Sequence, residues 1–285
     1  MPAGRQRNVI EGGIATRLMP YFEPGSAPDL LNLDRPDLVS ELHRASRAAG
    51  ATVLLTNTFG SNPVRLELDG RADDTEALNL AGVRLAREQS EGALVAGSLG
   101  PTGQLLEPLG PLTAEAGLAA FRRQARALAD AGADLLVVET MYDLGEARAA
   151  AAGCVETGVP TILSFSYDSG TRTMMGVRPA DTVPLALELG AAGIGFNCGS
   201  GLELAYELAR ELAEAARETG LELWARPNCG VPVPTLSGPE YPETPEALAA
   251  FAAHAASLGF EHIGACCGST DAHVAAIAAA VAAAS

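Results

Sequence analysis

The sequence predicts a single (β/α)8 TIM barrel, and three observations carry that prediction. Short β-branched or apolar runs alternate with longer Ala/Leu/Glu/Arg segments of helical period, eight times over. Capping residues and glycine breakers punctuate the helical segments where their ends should fall. No compositional shift or Pro/Gly/Ser-rich linker divides the 285 residues, so residues 1–285 read as one domain. That length is ordinary for a barrel of about 250 residues.

The strands are expected at 8–14, 51–57, 94–99, 135–139, 161–167, 193–197, 221–226 and 262–266. Helical segments lie at 36–49, 75–90, 114–131, 144–152, 182–189, 201–219, 245–258 and 271–284. Thr113, Thr244 and Thr270 stand where a hydroxyl can accept from the free N–H groups of a first turn. Gly50, Gly132, Gly220 and Gly259 follow helical segments as terminators. A doubly wound sheet is the alternative, and eight units without a topological break favour the barrel.

Hydrophobic residues make up 48 % of the chain and charged residues 19 %, which supports a large core and argues against disorder. The formal charge of −16, with no basic cluster beyond pairs such as Arg122-Arg123, excludes a nucleic-acid partner. No apolar run approaches the ~20 residues that span a bilayer, so no membrane partner is expected. The opening MPAGRQRNVIEGG lacks the apolar region of a secretory signal. Five cysteines, an odd number, fit reduced thiols better than a disulfide framework. A soluble, cytoplasmic protein is expected.

A barrel of this kind carries its chemistry at the carboxyl ends of its strands. The able residues there are Glu11 with Gly12 and Gly13, Asn57, Ser98, Glu139, Asn197 with Cys198, Asn228 with Cys229, and Cys266 with Cys267. Strands six, seven and eight are neighbours, so Cys198, Cys266 and Cys267 at the ends of strands six and eight can converge on one metal ion. Three soft sulfur ligands select zinc. Gly268 permits the sharp turn that aims two adjacent cysteines inwards. A thiol substrate bound to such an ion loses its proton at neutral pH, and alkyl transfer to sulfur follows more naturally than hydrolysis. Position alone leaves these three cysteines open between metal ligands and core thiols. Cys154 and Cys229 read as core residues. His43, His254, His262 and His273 read as structural, away from the site.

Seven motifs in order make the chain resemble the homocysteine S-methyltransferase family. They are EGG (11–13), TNTFGSN (56–62), GSLGPTG (97–103), VVETM (137–141), GFNC (195–198), PNCG (227–230) and GACCGST (264–270). The family includes betaine–homocysteine methyltransferases and the homocysteine-binding module of cobalamin-dependent methionine synthase. The resemblance implies that Cys198, Cys266 and Cys267 bind Zn2+ and that homocysteine is methylated to methionine. It implies that Glu139 holds the substrate's amino group, with Glu11 and the Gly12-Gly13 backbone at its amino-acid end. A carboxylate suits an ammonium, and free glycine N–H groups suit a carboxylate. Family members usually carry Asp where this chain has Glu11. By the same likeness Asn228 is a displaceable ligand at the metal's fourth position.

The methyl donor is less legible. Betaine's quaternary ammonium takes an aromatic cage, yet the chain is 5 % aromatic with Trp224 its sole tryptophan. Gly60 and the GSAPDLL loop (25–31) stand where betaine enzymes carry aromatics. The stretch 26–62 looks more like the methionine synthase module than the S-methylmethionine-using branch. No folate- or cobalamin-binding domain follows the eighth helix, so a separate corrinoid- or methylfolate-binding protein is the expected partner. S-methylmethionine or S-adenosylmethionine would need none. A reading of another class is a non-catalytic zinc- or thiol-binding subunit of a methyltransfer complex. A zinc hydrolase is disfavoured by the all-thiolate ligand set.

Overall fold

A computed structural model describes residues 7–23, 25–235 and 238–284. The first six residues of the N-terminal stretch discussed above lie outside the described residues. In chain order the strands are β1 (Asn8–Val9), β2 (Val53–Leu55), β3 (Leu94–Leu99), β4 (Leu135–Met141), β5 (Thr161–Phe165), β6 (Gly193–Cys198), β7 (Glu222–Pro227), β8 (Val233–Thr235), β9 (Gly238–Glu240) and β10 (His262–Ile263). The helices are α1 (Ile14–Leu18), α2 (Leu31–Asp34), α3 (Pro36–Ala48), α4 (Pro63–Leu66), α5 (Thr75–Glu88), α6 (Ala114–Asp130), α7 (Leu144–Val155), α8 (Pro179–Leu189), α9 (Leu202–Ala215), α10 (Pro245–Ser257) and α11 (Asp271–Ala283).

Eight strands form one parallel sheet in the order β1-β10-β7-β6-β5-β4-β3-β2. A parallel bridge from Ile10 to Val53 joins its two ends, so the sheet closes into the expected barrel. The Thr52 N–H donates to Val9 O at 2.8 Å and the Glu11 N–H to Val53 O at 3.0 Å across that seam. The capping residues act as their chemistry dictates. Thr113 accepts from the Ala116 N–H and Thr244 from the Ala247 N–H, while Gly50, Gly132, Gly220 and Gly259 all take the left-handed conformation. No helix among the described residues is long and apolar enough to cross a membrane.

Several boundaries differ from the sequence reading. The first strand ends near Ile10 because Gly13 caps α1 and Ile14 is already helical. The last strand is only His262–Ile263, although Gly264 and Cys266 still donate to Ala225 O and Pro227 O of β7. Helix α8 begins at Pro179, ahead of the expected 182, where proline loses no helical hydrogen bond and Asp181 accepts from the Arg178 N–H. Helices α1, α2 and α4 and the β8–β9 hairpin lie in loops after β1, β2 and β7. One turn of helix carries no readable 3.6-residue period.

Strand alternation divides the apolar residues between two cores. Leu135 and Val137 of β4 join Ile10, Val53, Leu55, Ala96, Ile162 and Trp224 inside the barrel. Leu136 and Val138 face outwards into the larger cluster with Phe121, Leu128 and Phe251 of the helices. Trp224 fills the interior opposite a residue with no side chain: a Cβ on Gly195 would lie 2.5 Å from both Cβ and O of Trp224.

Candidate metal centre and substrate cavity

The same alternation builds the site. Two residues above each apolar inner position the side chain becomes polar. Ala96 is followed by Ser98, Val137 by Glu139, Ile162 by Ser164, Gly195 by Asn197 and Trp224 by Arg226. Five polar groups therefore stand at one level of the barrel mouth. Ser98, Glu139 and Arg226 line a cavity of about 270 Å3 with Gly13, Leu55, Phe59, Thr140 and the three cysteines Cys198, Cys266 and Cys267.

Glu139 is gripped from both sides. Ser98 Oγ donates to its Oε1 at 2.5 Å, and Arg226 Nη1 donates to its Oε2 at 2.6 Å. Arg226 is only 5 % exposed. Burial opposes its charge, but Glu139 and the thiols of Cys266 and Cys198 outweigh that and hold the guanidinium protonated.

Asn197 fastens three strands together. Its Oδ1 accepts from the Thr140 N–H at 2.9 Å and from Ser164 Oγ at 2.6 Å. Its Nδ2 donates to Thr140 Oγ1 at 2.7 Å and to Cys198 Sγ at 3.2 Å. Two of these neighbours have strained backbones: Thr140 has φ 61° and Cys198 φ 60°.

Cys266 and Cys267 follow β10, and the chain turns through Gly268 at φ 82°. A side chain there would also collide with Tyr241, so glycine is required twice over. Cys198 Sγ lies 3.4 Å from Cys266 Sγ, and all three sulfurs fall within 4.8 Å of one another. Thiolates on one tetrahedral zinc, each at about 2.3 Å, stand about 3.8 Å apart, so the cluster fits such an ion. Hydrogen bonds from the Cys198 and Cys267 thiols, with the Arg226 charge added, hold the Cys266 thiol well below the ordinary thiol range. The Cys198 thiol is pushed the other way, chiefly by its contacts with Cys266 and Cys267.

The structure thus brings together Cys198, Cys266, Cys267 and Glu139. It places the other expected residues differently. Glu11 is fully buried and turned from the cavity: the Leu55 N–H donates to its Oε1 at 2.5 Å, and His43 Nδ1 lies 3.1 Å from its Oε2. Gly13 lines the cavity, but its N–H donates to Ser269 Oγ at 2.7 Å. Gly12 packs against the same serine. Asn228 ties the cysteine loops together, donating to Gly199 O at 3.1 Å and accepting from the Cys267 N–H at 3.1 Å. Cys154 and Cys229 are buried outside the cluster, and burial pushes the Cys229 thiol up to about 12. Arg226 was the residue without an expected role. Its signal in the sequence is a lone charge in the apolar run LWARP, two positions after a tryptophan.

Three thiols converge at the carboxyl ends of barrel strands, above a buried ion pair, in an arrangement that could hold a metal ion. The chain belongs to the homocysteine S-methyltransferase family, whose sequence model matches residues 8–281. It is 33 % identical over 268 residues to the methionine synthase of Mycobacterium leprae and 32 % identical to that of Mycobacterium tuberculosis. Each alignment covers 89 % of this chain but only 22 % of the relative, so the chain spans about a fifth of their length. The homocysteine methyltransferase MmuM from Escherichia coli, solved in a metallated form, superposes with a TM-score of 0.80 at 25 % identity. That match covers 97 % of this chain and 96 % of MmuM.

Proposed function

We propose that the chain holds a zinc ion on Cys198, Cys266 and Cys267 and methylates the thiol of homocysteine to give methionine. The observation that carries this reading is the convergence of three sulfurs within 4.8 Å of one another, beside a cavity that also holds Glu139. Three soft donors favour zinc over the harder cations. Zinc bound there supplies the positive charge that keeps a thiol, ordinarily titrating near about 8.5, deprotonated at neutral pH. Glu139 receives the ammonium group of the substrate. Leu55 and Phe59 line the cavity with apolar surface that excludes water from the attacking sulfur. Asn197 holds Cys198 in its strained backbone.

The donor in this reading is a methylated corrinoid or folate carried by a separate protein, on the likeness to methionine synthases. Betaine is disfavoured because Phe59 is the one aromatic among the described lining residues, too few for a cage. In this reading residues 1–285 form one barrel domain, placed in the cytoplasm, where unpaired cysteines such as these stay reduced.

The test is methionine formation by mass spectrometry from zinc-loaded protein and homocysteine. Methylcobalamin, methylfolate with a corrinoid protein, S-methylmethionine, S-adenosylmethionine and betaine are supplied in separate reactions. Turnover with a corrinoid donor is the expected result. Turnover with another donor corrects the donor alone. Homocysteine binding without methionine from any donor supports a non-catalytic subunit, and failure to bind homocysteine removes the substrate assignment.

A further inference from the structure

Resting on the reading that this cavity takes homocysteine, we infer that Arg226 anchors the substrate's carboxylate and makes the site selective for α-amino-acid thiols. The family resemblance implies Glu11 and the Gly12-Gly13 backbone at the amino-acid end, which leaves the first-turn N–H groups of α1 as the backbone alternative once Glu11 and the Gly13 N–H are accounted for. The Gly13 N–H already donates to Ser269 Oγ, and Glu11 is closed off by Leu55 and His43. Among the described lining residues the one cation is Arg226.

Arg226 has donors to offer. A guanidinium carries five N–H groups in a planar fork suited to a carboxylate. Only Nη1 has an acceptor among the described residues, Glu139 Oε2, and the buried Nε has none. The placement also suits an amino acid. Ammonium and carboxylate of such a substrate sit on the same carbon, and the protein presents a carboxylate and a guanidinium 2.6 Å apart. The substrate's head group can lie alongside that pair with charges opposed, ammonium to Glu139 and carboxylate to Arg226. In register, Arg226 stands one residue before Pro227, the partner of Cys198. The head group and the reacting sulfur are therefore served from adjacent levels of the same wall, about 3.3 Å apart in height.

The experiment compares homocysteine with 3-aminopropane-1-thiol, which has the same chain and ammonium but no carboxylate. Both are titrated calorimetrically into the zinc-loaded protein and into Arg226→Met and Arg226→Lys, with zinc content measured for each. The wild type is expected to prefer homocysteine by about 100-fold, since a buried charged donor left unpaired penalises the smaller ligand. Arg226→Met should reduce that preference to within about threefold, with the zinc retained. Arg226→Lys, which keeps the charge and loses the fork, should fall between. The ratio is insensitive to the folded fraction, and the lysine variant supplies it if the methionine variant does not fold. An unchanged ratio in both variants overturns the anchor and puts the carboxylate on backbone at the start of α1. Equal losses for both thiols also overturn it, because Arg226 then acts only through Glu139. A zinc-loaded wild type that binds neither thiol overturns the proposed function itself, and the anchor with it.

Discussion

Asn197→Ala tests how the site is held. The wild-type side chain makes four hydrogen bonds, to Thr140 twice, to Ser164 and to Cys198, and is 1 % exposed. Alanine leaves the Thr140 N–H and the Ser164 hydroxyl without their acceptor. A buried group stripped of its partner costs about 1–3 kcal/mol. The hydroxyl can rotate towards another oxygen and the partly buried amide can admit water, so the sum should be about 2–4 kcal/mol. That is a large share of a total stability of about 5–15 kcal/mol. Cys198 also loses the donor to its sulfur and the neighbour that steadies its left-handed backbone. Outer partners of metal ligands typically contribute about 10–100-fold in affinity. Urea denaturation of the metal-free protein should therefore show the stability loss, and competition with a zinc chelator should show weaker binding by at least about tenfold. A variant within about 0.5 kcal/mol of wild type, with unchanged zinc affinity, refutes the claim that Asn197 secures this end of the barrel.

Cys266→Ala should lose stoichiometric zinc and thiol methylation while keeping its circular dichroism, and full zinc content in that variant would remove Cys266 from the ligand set. Gly195→Ala should destabilise the barrel by about 1–3 kcal/mol, because the new methyl meets backbone as well as the Cβ of Trp224 and neither can retreat; equilibrium denaturation equal to wild type would show the interior to be looser than described. Asp29 lies beneath the loop after β2, where the Gly60 N–H and Ser61 Oγ donate to it, and burial raises its carboxyl from 3.8 to about 6. The folded protein therefore holds this proton more tightly than the unfolded chain, so the contribution is complete below pH ~4 and is lost as pH rises through about 6. Relative to wild type, Asp29→Asn should gain about 2 kcal/mol between pH 4 and pH 7, and a constant difference across that range would contradict the assignment.

The barrel was legible because its signals repeat. Helices such as α6 and α10 begin on a hydroxyl and stop just before a glycine, and that local chemistry holds whatever the helix packs against, as Thr113 with Gly132 and Thr244 with Gly259 show. The three cysteines were legible because strand ends converge in a closed barrel, and Glu139 because it interrupts the apolar run of β4. Arg226 was obscured for a physical reason. Its partner Glu139 is 87 residues away, and nothing local to either strand reports that the two inner faces meet at the same height. Glu11 was misplaced in direction for a similar reason. Its position at the end of β1 is right, but His43, which draws it outwards from α3, lies on a helix whose own pattern explains it fully. Sequence periodicity fixes which face a residue lies on, and long-range pairing decides which way its charged end turns.

The seam that closes the barrel bears on how the protein is made. Asn8 and Val9 emerge from the ribosome early, yet their partners His262 and Ile263 follow about 250 residues later. At about 5–20 residues per second, that side of β1 waits between about 12 and 50 s for its neighbour. The other side can dock sooner, on Thr52 and Val53 of the next unit. A long unpaired edge would be a template for wrong partners throughout that interval. Here the waiting edge is two residues long, so the nascent chain presents few open hydrogen-bonding groups until the last strand arrives.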